Sequence, residues 1–183
     1  MSLRPAHTVA AAIIRRRNEI ALVLQGAEGE EPFWGLPGGV VEHDELVPEG
    51  LAREVLEETG LTIHVPAVLG YIRQIDNLRP ARLSGHRGTE TGSGYVVTVW
   101  LFDVGSWEGE IAARDPNGVV HEARFVPLGE AADLLRRTHW LALAADYLEG
   151  AVIPGSIHFE RWHADGMVED VGRIVPTMPS GSL

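Results

Sequence analysis

Glu54, Glu57 and Glu58 are spaced so that a helix gathers three carboxylates on one side. At about 100° per residue, the second and third fall within roughly 60° of the first, one on either side. Like charges at such spacing oppose a bare helix by a few tenths of a kcal/mol per pair, so something must compensate. Hard divalent cations do this: Mg²⁺ takes carboxylate oxygens, waters and substrate phosphates together. A solvated acidic helix face is the plain alternative, and the surroundings argue against it. Glu42 and Glu45 add carboxylates just upstream, and Pro37-Gly38-Gly39 permits a tight turn whose carbonyls could supply further oxygen ligands. Arg53 stands four residues before Glu57, the spacing at which a guanidinium holds a carboxylate in one rotamer.

The string running Gly39-x5-Glu45-x7-Arg53-Glu54-Val55-x-Glu57-Glu58-x-Gly60-Leu61 resembles the Nudix box, G-x5-E-x7-R-E-U-x-E-E-x-G-U with U aliphatic, at all nine defined positions. The preceding Trp34-Gly35-Leu36-Pro37-Gly38 and the order of strands extend the resemblance over roughly residues 7–148. The resemblance implies an α/β Nudix fold, a mixed β-sheet sandwiched between helices, with the box as loop–helix–loop. It implies hydrolysis of a nucleoside diphosphate linked to another group, with Mg²⁺ or Mn²⁺ as cofactor. By the same resemblance Glu54, Glu57 and Glu58 are metal ligands, the Gly39 carbonyl faces the metal, and Arg53 orients a box glutamate. The chemistry agrees: cleaving a pyrophosphate needs an in-line water, neutralised phosphate charge and a base. A carboxylate near the metal can take the proton.

Relatives often place an extra acidic ligand where Glu122 stands, just before Phe125-Val126-Pro127-Leu128; a solvated loop glutamate is the other reading. Arg79, Arg82, His86 and Arg87 form a basic group in a Gly/Ser/Arg-rich stretch of an acidic protein. Arg grips phosphate bidentately, so Arg79, Arg82 and Arg87 are candidate substrate-binding residues. Trp34, Tyr71 and Trp100 are either base-stacking platforms or core. No His-Glu-x-x-His spacing and no Gly-x-Ser-x-Gly elbow occurs.

These residues need elements to hold them. Thr8 to Ile14 and Ile20 to Leu24 are apolar runs around the polar Arg16-Arg17-Asn18-Glu19, a predicted hairpin. Phe33 to Val41 reads as a strand bent by its Pro-Gly-Gly. A helix follows: Pro48 suits its first turn and Gly60 the left-handed position past its end. Leu51, Ala52, Val55 and Leu56 are its predicted buried stripe, with the box carboxylates pointing away. Val68 to Arg73, Tyr95 to Val104 and Arg124 to Leu128 read as strands, and the stretch from Asn77 to Gly94 as a long loop. Gly129 to Arg137 and Leu141 to Leu148 read as helices broken near Thr138. Asp165-Gly166 suits a turn between strands at Ile157–Trp162 and Met167–Val175. Residues 1–150 are expected to form the Nudix domain, and 151–183 a C-terminal extension.

The chain has 183 residues, 26 Asp plus Glu against 15 basic residues that are all Arg, and a formal net charge of −11. Nucleic acid is repelled by such a surface, so none is expected as partner. Without Lys there is no Walker lysine and no Schiff base; without Cys there is no thiol nucleophile and no disulfide. No apolar run reaches the roughly 18–20 residues a membrane helix needs, and no signal peptide is evident, so a cytoplasmic location without membrane attachment is expected. Markers that family members carry for ADP-ribose or dinucleoside polyphosphates are missing after the box, which leans the expected substrate towards nucleoside triphosphates. ADP-ribose or another nucleoside-diphosphate sugar is the alternative, and a non-catalytic ligand-binding regulator is the alternative of another class. A homodimer is an open expectation.

Overall fold

The structure is a computed structural model, describing residues 4–64, 67–79 and 94–177. The middle of strand β1 (Ala6–Arg16), Val9 to Ile14, is wholly apolar because both faces there are covered. It turns through Arg17, at φ 56°, and Asn18 into β2 (Glu19–Gln25). The predicted hairpin is present, pinned by Arg16 donating to Glu19 at 2.9 Å. The stretch expected to be a bent strand is two short ones, β3 (Phe33–Gly35) and β4 (Gly38–Val40), with Leu36-Pro37 between them.

The box helix α1 spans Val47–Thr59. Pro48 lies in its first turn, Glu49 accepts the Leu46 N–H at 2.7 Å, and Gly60 closes it at φ 71°. After β5 (Thr62–Ile63) come the long strands β6 (Val68–Asn77) and β7 (Tyr95–Val104), then β8 (Trp107–Glu108) and β9 (Val120–Pro127). Both β6 and β9 are longer than the sequence suggests. Helix α2 (Leu128–Arg136) and α3 (Ala142–Leu148) flank a 3-10 turn at His139–Leu141, which is the expected break. The last strands among the described residues are the antiparallel pair β10 (Ser156–Trp162) and β11 (Val168–Ile174).

Nine of these strands form one sheet, in the order β11-β10-β6-β7-β1-β2-β3, with β4 added on β1 and β9 on β2. The β1–β7 and β10–β6 pairings are parallel and the rest antiparallel, so the sheet is mixed. Leu51 and Val55 of α1 pack on Ala10, Ala12 and Ile14 of β1. On the opposite face Leu135 of α2 and Ala145 and Leu148 of α3 pack with Ile13, Leu22, Tyr71, Leu101 and Val126. The result is the expected α/β/α sandwich.

The α1 stripe needs one correction. Leu56 is 46% exposed, while Glu58 is only 8% exposed. Five residues from Leu51 is about 140° around a helix, whereas seven residues returns almost to the same line. Glu58 therefore shares the inward face with Leu51 and Val55 and does not point away from it.

Candidate active site

The site is built where β4 meets α1. Strand β4 lies antiparallel to β1, with Gly39 opposite Ala10 and Gly38 opposite Ala11. This presses the glycines against the helix that covers that face. A Cβ on Gly39 would stand 2.5 Å from the Glu54 Cδ, so the Glu54 carboxylate occupies the space a side chain would fill. A Cβ on Gly38 would strike the Ala10 carbonyl at 2.2 Å, and its φ of 142° also requires glycine. The Gly38 N–H donates to Glu58 Oε2 at 2.8 Å. The double glycine thus lets one carboxylate lie under the strand and another cap it.

Arg53 organises the remaining acids. Its Nε and Nη2 donate to the two oxygens of Glu45 at 2.6 and 2.9 Å, a bidentate grip. Nη1 reaches Glu54 at 2.9 Å and Glu57 at 3.3 Å, and Nη2 also meets the Val40 carbonyl at 3.1 Å. The i, i+4 partner expected from spacing is present, but Glu45 holds the stronger position. Glu42 donates its N–H to Glu45 at 2.9 Å. These bonds hold the Glu45 carboxyl at about 2, far below its usual range, chiefly through Arg53.

Glu54 and Glu58 are shifted the other way. Burial is the main cause for both, reinforced by neighbouring carboxylates; Glu58 is pushed up to about 8 despite the Gly38 N–H. Carboxylates forced together out of water are short of positive charge, and that is the electrostatic demand a divalent cation meets. Among the described residues no three acidic or imidazole groups already converge on a single ion position. Glu58 is turned to Gly38, while Glu54 and Glu57 are turned to Arg53. Mg²⁺ keeps several waters and substrate oxygens in its shell, so an incomplete protein cage fits it. The donor set of Glu54, Glu57, Glu58 and the Gly39 carbonyl is therefore compatible with Mg²⁺ or Mn²⁺.

Glu122 is placed within β9, opposite Leu24, and not in a turn before the strand. Its ion-pair partner is Arg124 at 3.4 Å, and that guanidinium lies 4.0 Å from Glu130 and 4.6 Å above the Trp34 ring. Arg79 donates to the carbonyls of His163 and Gly166 at 3.0 and 2.8 Å and sits 5.2 Å over the Trp162 ring. Arg82, His86 and Arg87 lie outside the described residues. Tyr71 is core, with its ring edge-on to Tyr147; Trp100 is half-buried and stacks on Phe102.

One acid near the box was absent from the sequence reading. Asp115 accepts the N–H groups of Asn117, Val119 and Val120 at 2.8, 2.7 and 2.9 Å. Its charge is among those that raise Glu58. The Asp-Pro-Asn-Gly string was a readable turn signal, since Asp bonds its own backbone two residues on. That the turn approaches α1 depends on Ala112 donating to the Thr59 carbonyl at 2.8 Å, a long-range contact.

A mixed sheet between helices, with a glycine turn clasped by a carboxylate helix, defines a Nudix hydrolase fold. The chain belongs to the NUDIX family: the NUDIX domain model matches residues 5–146. A MutT-like protein of Streptomyces ambofaciens is 38% identical over 68 residues, covering 36% of this chain and 42% of that protein. An ADP-ribose pyrophosphatase of Methanocaldococcus jannaschii is 41% identical over 133 residues, covering 72% of this chain and 68% of that protein. The crystal structure of a mutator MutT protein from Bacillus halodurans shares the fold, with a TM-score of 0.64 at 18% identity over 92% of this chain and 96% of that one. No helix among the described residues is long and apolar enough to cross a membrane.

Proposed function

We propose that the chain is a divalent-metal-dependent pyrophosphohydrolase acting on a small molecule that carries a nucleoside diphosphate linked to another group. One observation carries the reading. The Glu54 carboxylate fills the space beside Gly39 while Glu58, buried and acidic, is tied to Gly38. A surface acidic helix has no use for either arrangement.

Glu54, Glu57, Glu58 and the Gly39 carbonyl would hold Mg²⁺ or Mn²⁺. The ion, when bound, supplies neutralisation of phosphate charge and an acidified water. The protein's own share is positional. Arg53 fixes Glu54 and Glu57 through its fork and is itself held by Glu45. The base that takes the proton from the attacking water would be a box glutamate at the ion or Glu122, since Glu45 is tied up by Arg53. Glu122 is proposed as a further carboxylate from a second element, with Arg79, Arg82 and Arg87 as phosphate-binding groups.

Nucleoside triphosphates are the first reading of the substrate, from the missing markers after the box. ADP-ribose is the second, favoured by the name of the M. jannaschii relative. Phosphate and pyrophosphate release from nucleoside triphosphates, ADP-ribose and dinucleoside polyphosphates, each with Mg²⁺, Mn²⁺ or Co²⁺, separates the two. Silence across that whole panel would overturn the enzymatic reading and favour a ligand-binding regulator.

A further inference from the structure

Away from the box, a trough of about 510 Å³ runs between α3 with the loop after it and the β10–β11 hairpin. Its volume lies within the range of small-molecule sites, roughly 300–1,000 Å³. Its apolar lining comes from Leu143 of α3, Val152 and Ile153 of the following loop, Val168 of β11 and Val175 after it. Ile153 and Val175 stand 53% and 44% exposed and so present apolar surface to the trough.

His158 and Arg173 also line the trough, directly opposite each other across the β10–β11 ladder and so on one face. The His158 ring is engaged by the buried Ser156 hydroxyl at 2.8 Å. The Arg173 side chain has no hydrogen-bond or ion-pair partner among the described residues. The other charges of the trough are spoken for. Glu160 is paired with Arg73, and Asp146 with Arg136. Asp170 accepts the Gly172 N–H at 3.0 Å and, next along the face, adds negative charge.

We propose that this trough binds an apolar-bodied organic monoanion, its carboxylate on Arg173 and His158 and its hydrocarbon body over Val152, Ile153 and Val175. Charge sets the class. A single unpartnered guanidinium answers one negative charge, and Asp170 nearby opposes a second, which disfavours a phosphate dianion. The residues are distinct from the box carboxylates, so the site stands whether or not the proposed hydrolysis does.

The test uses the full chain with 8-anilinonaphthalene-1-sulfonate as fluorescent probe and octanoate as competitor. Saturable one-to-one probe binding, displaced by octanoate, is expected. Arg173→Gln should weaken it at least fivefold, and Ile153→Ser about as much. Asp170→Asn, which keeps the oxygen facing the Gly172 N–H, should tighten it two- to threefold. Melting temperatures should stay within a few degrees, since all three positions are exposed or self-contained. Absence of saturable binding, or equal affinity in wild type and Arg173→Gln, overturns the proposal; so does octyl phosphate competing better than octanoate at pH 8.

Discussion

Gly39 matters for the atom it lacks. Alanine there brings a Cβ to 2.5 Å from the Glu54 carboxyl carbon, and Glu54 must swing away, because the strand is held on β1. Gly39→Ala should therefore cut turnover at least tenfold while the melting temperature moves little; an unchanged kcat would place the reacting centre elsewhere. Glu57→Gln and Glu58→Gln should each lower turnover by two or more orders of magnitude, the usual size for losing a base or a charge stabiliser. Both should fold, judged by circular dichroism, because Gln is isosteric with Glu and can keep the Gly38 N–H contact at position 58. For Glu122 the kinetic split decides. Its proposed role predicts that Glu122→Gln lowers kcat at nearly constant KM. A change below twofold in both constants would leave Glu122 to its ion pair with Arg124. The box residues could be read from sequence because their relation is local: spacing along one helix sets their angles. Asp115 could not, because its approach to Glu58 depends on a loop folded back onto the end of α1.

At the scale of elements, the informative pairing is the buried one between Arg73 of β6 and Glu160 of β10, joined at 2.6 and 2.8 Å. Trp162 adds an N–H to Glu160 at 2.8 Å, and the Arg73 guanidinium also donates to the Trp140 carbonyl. These groups lie 87 residues apart in sequence, and no spacing rule reaches that far. Hairpin and helix ends were readable, since Gly60, Pro48 and Asp165-Gly166 act on their immediate neighbours. The parallel pairing of β10 with β6 was not. Burial pushes the Glu160 pKa up, but the Arg73 bonds outweigh it and hold the group below its usual range. A depressed folded-state value means stability that is present above about pH 4.5 and lost as pH falls through the folded pKa. Glu160→Gln should leave Arg73 buried without a counter-charge and cost about 3 kcal/mol at pH 7. Its melting temperature should also fall less steeply than that of the wild type between pH 5 and 3. Parallel acid limbs in the two proteins would count against this pair as the source.

For the whole molecule, the question is what residues 151–183 contribute. Sequence places them after the Nudix domain, and the family model ends at residue 146. In space, β10 continues the main sheet at its β6 edge, in register from Ser156 opposite Tyr71 to Trp162 opposite Asn77. Trp162 is 7% exposed and packs with Ile75 and Val97, which belong to the sheet's centre. A chain ending at residue 150 would uncover Ile75, leave Arg73 without Glu160 and open the whole β6 edge to solvent. Loss of the buried Trp162 packing costs about 3 kcal/mol, while Arg73, opened to water together with the β6 edge, adds little. In a protein of this size each kcal/mol moves the melting temperature by roughly 2–4 °C. The truncated chain should therefore melt roughly 6–12 °C below the full one and, with an unpaired edge strand, aggregate on warming. Calorimetry with light scattering on both chains measures this directly. Equal melting temperatures with the truncated chain monomeric would make residues 1–150 a self-sufficient unit, and the hairpin an appendage free to serve another ligand.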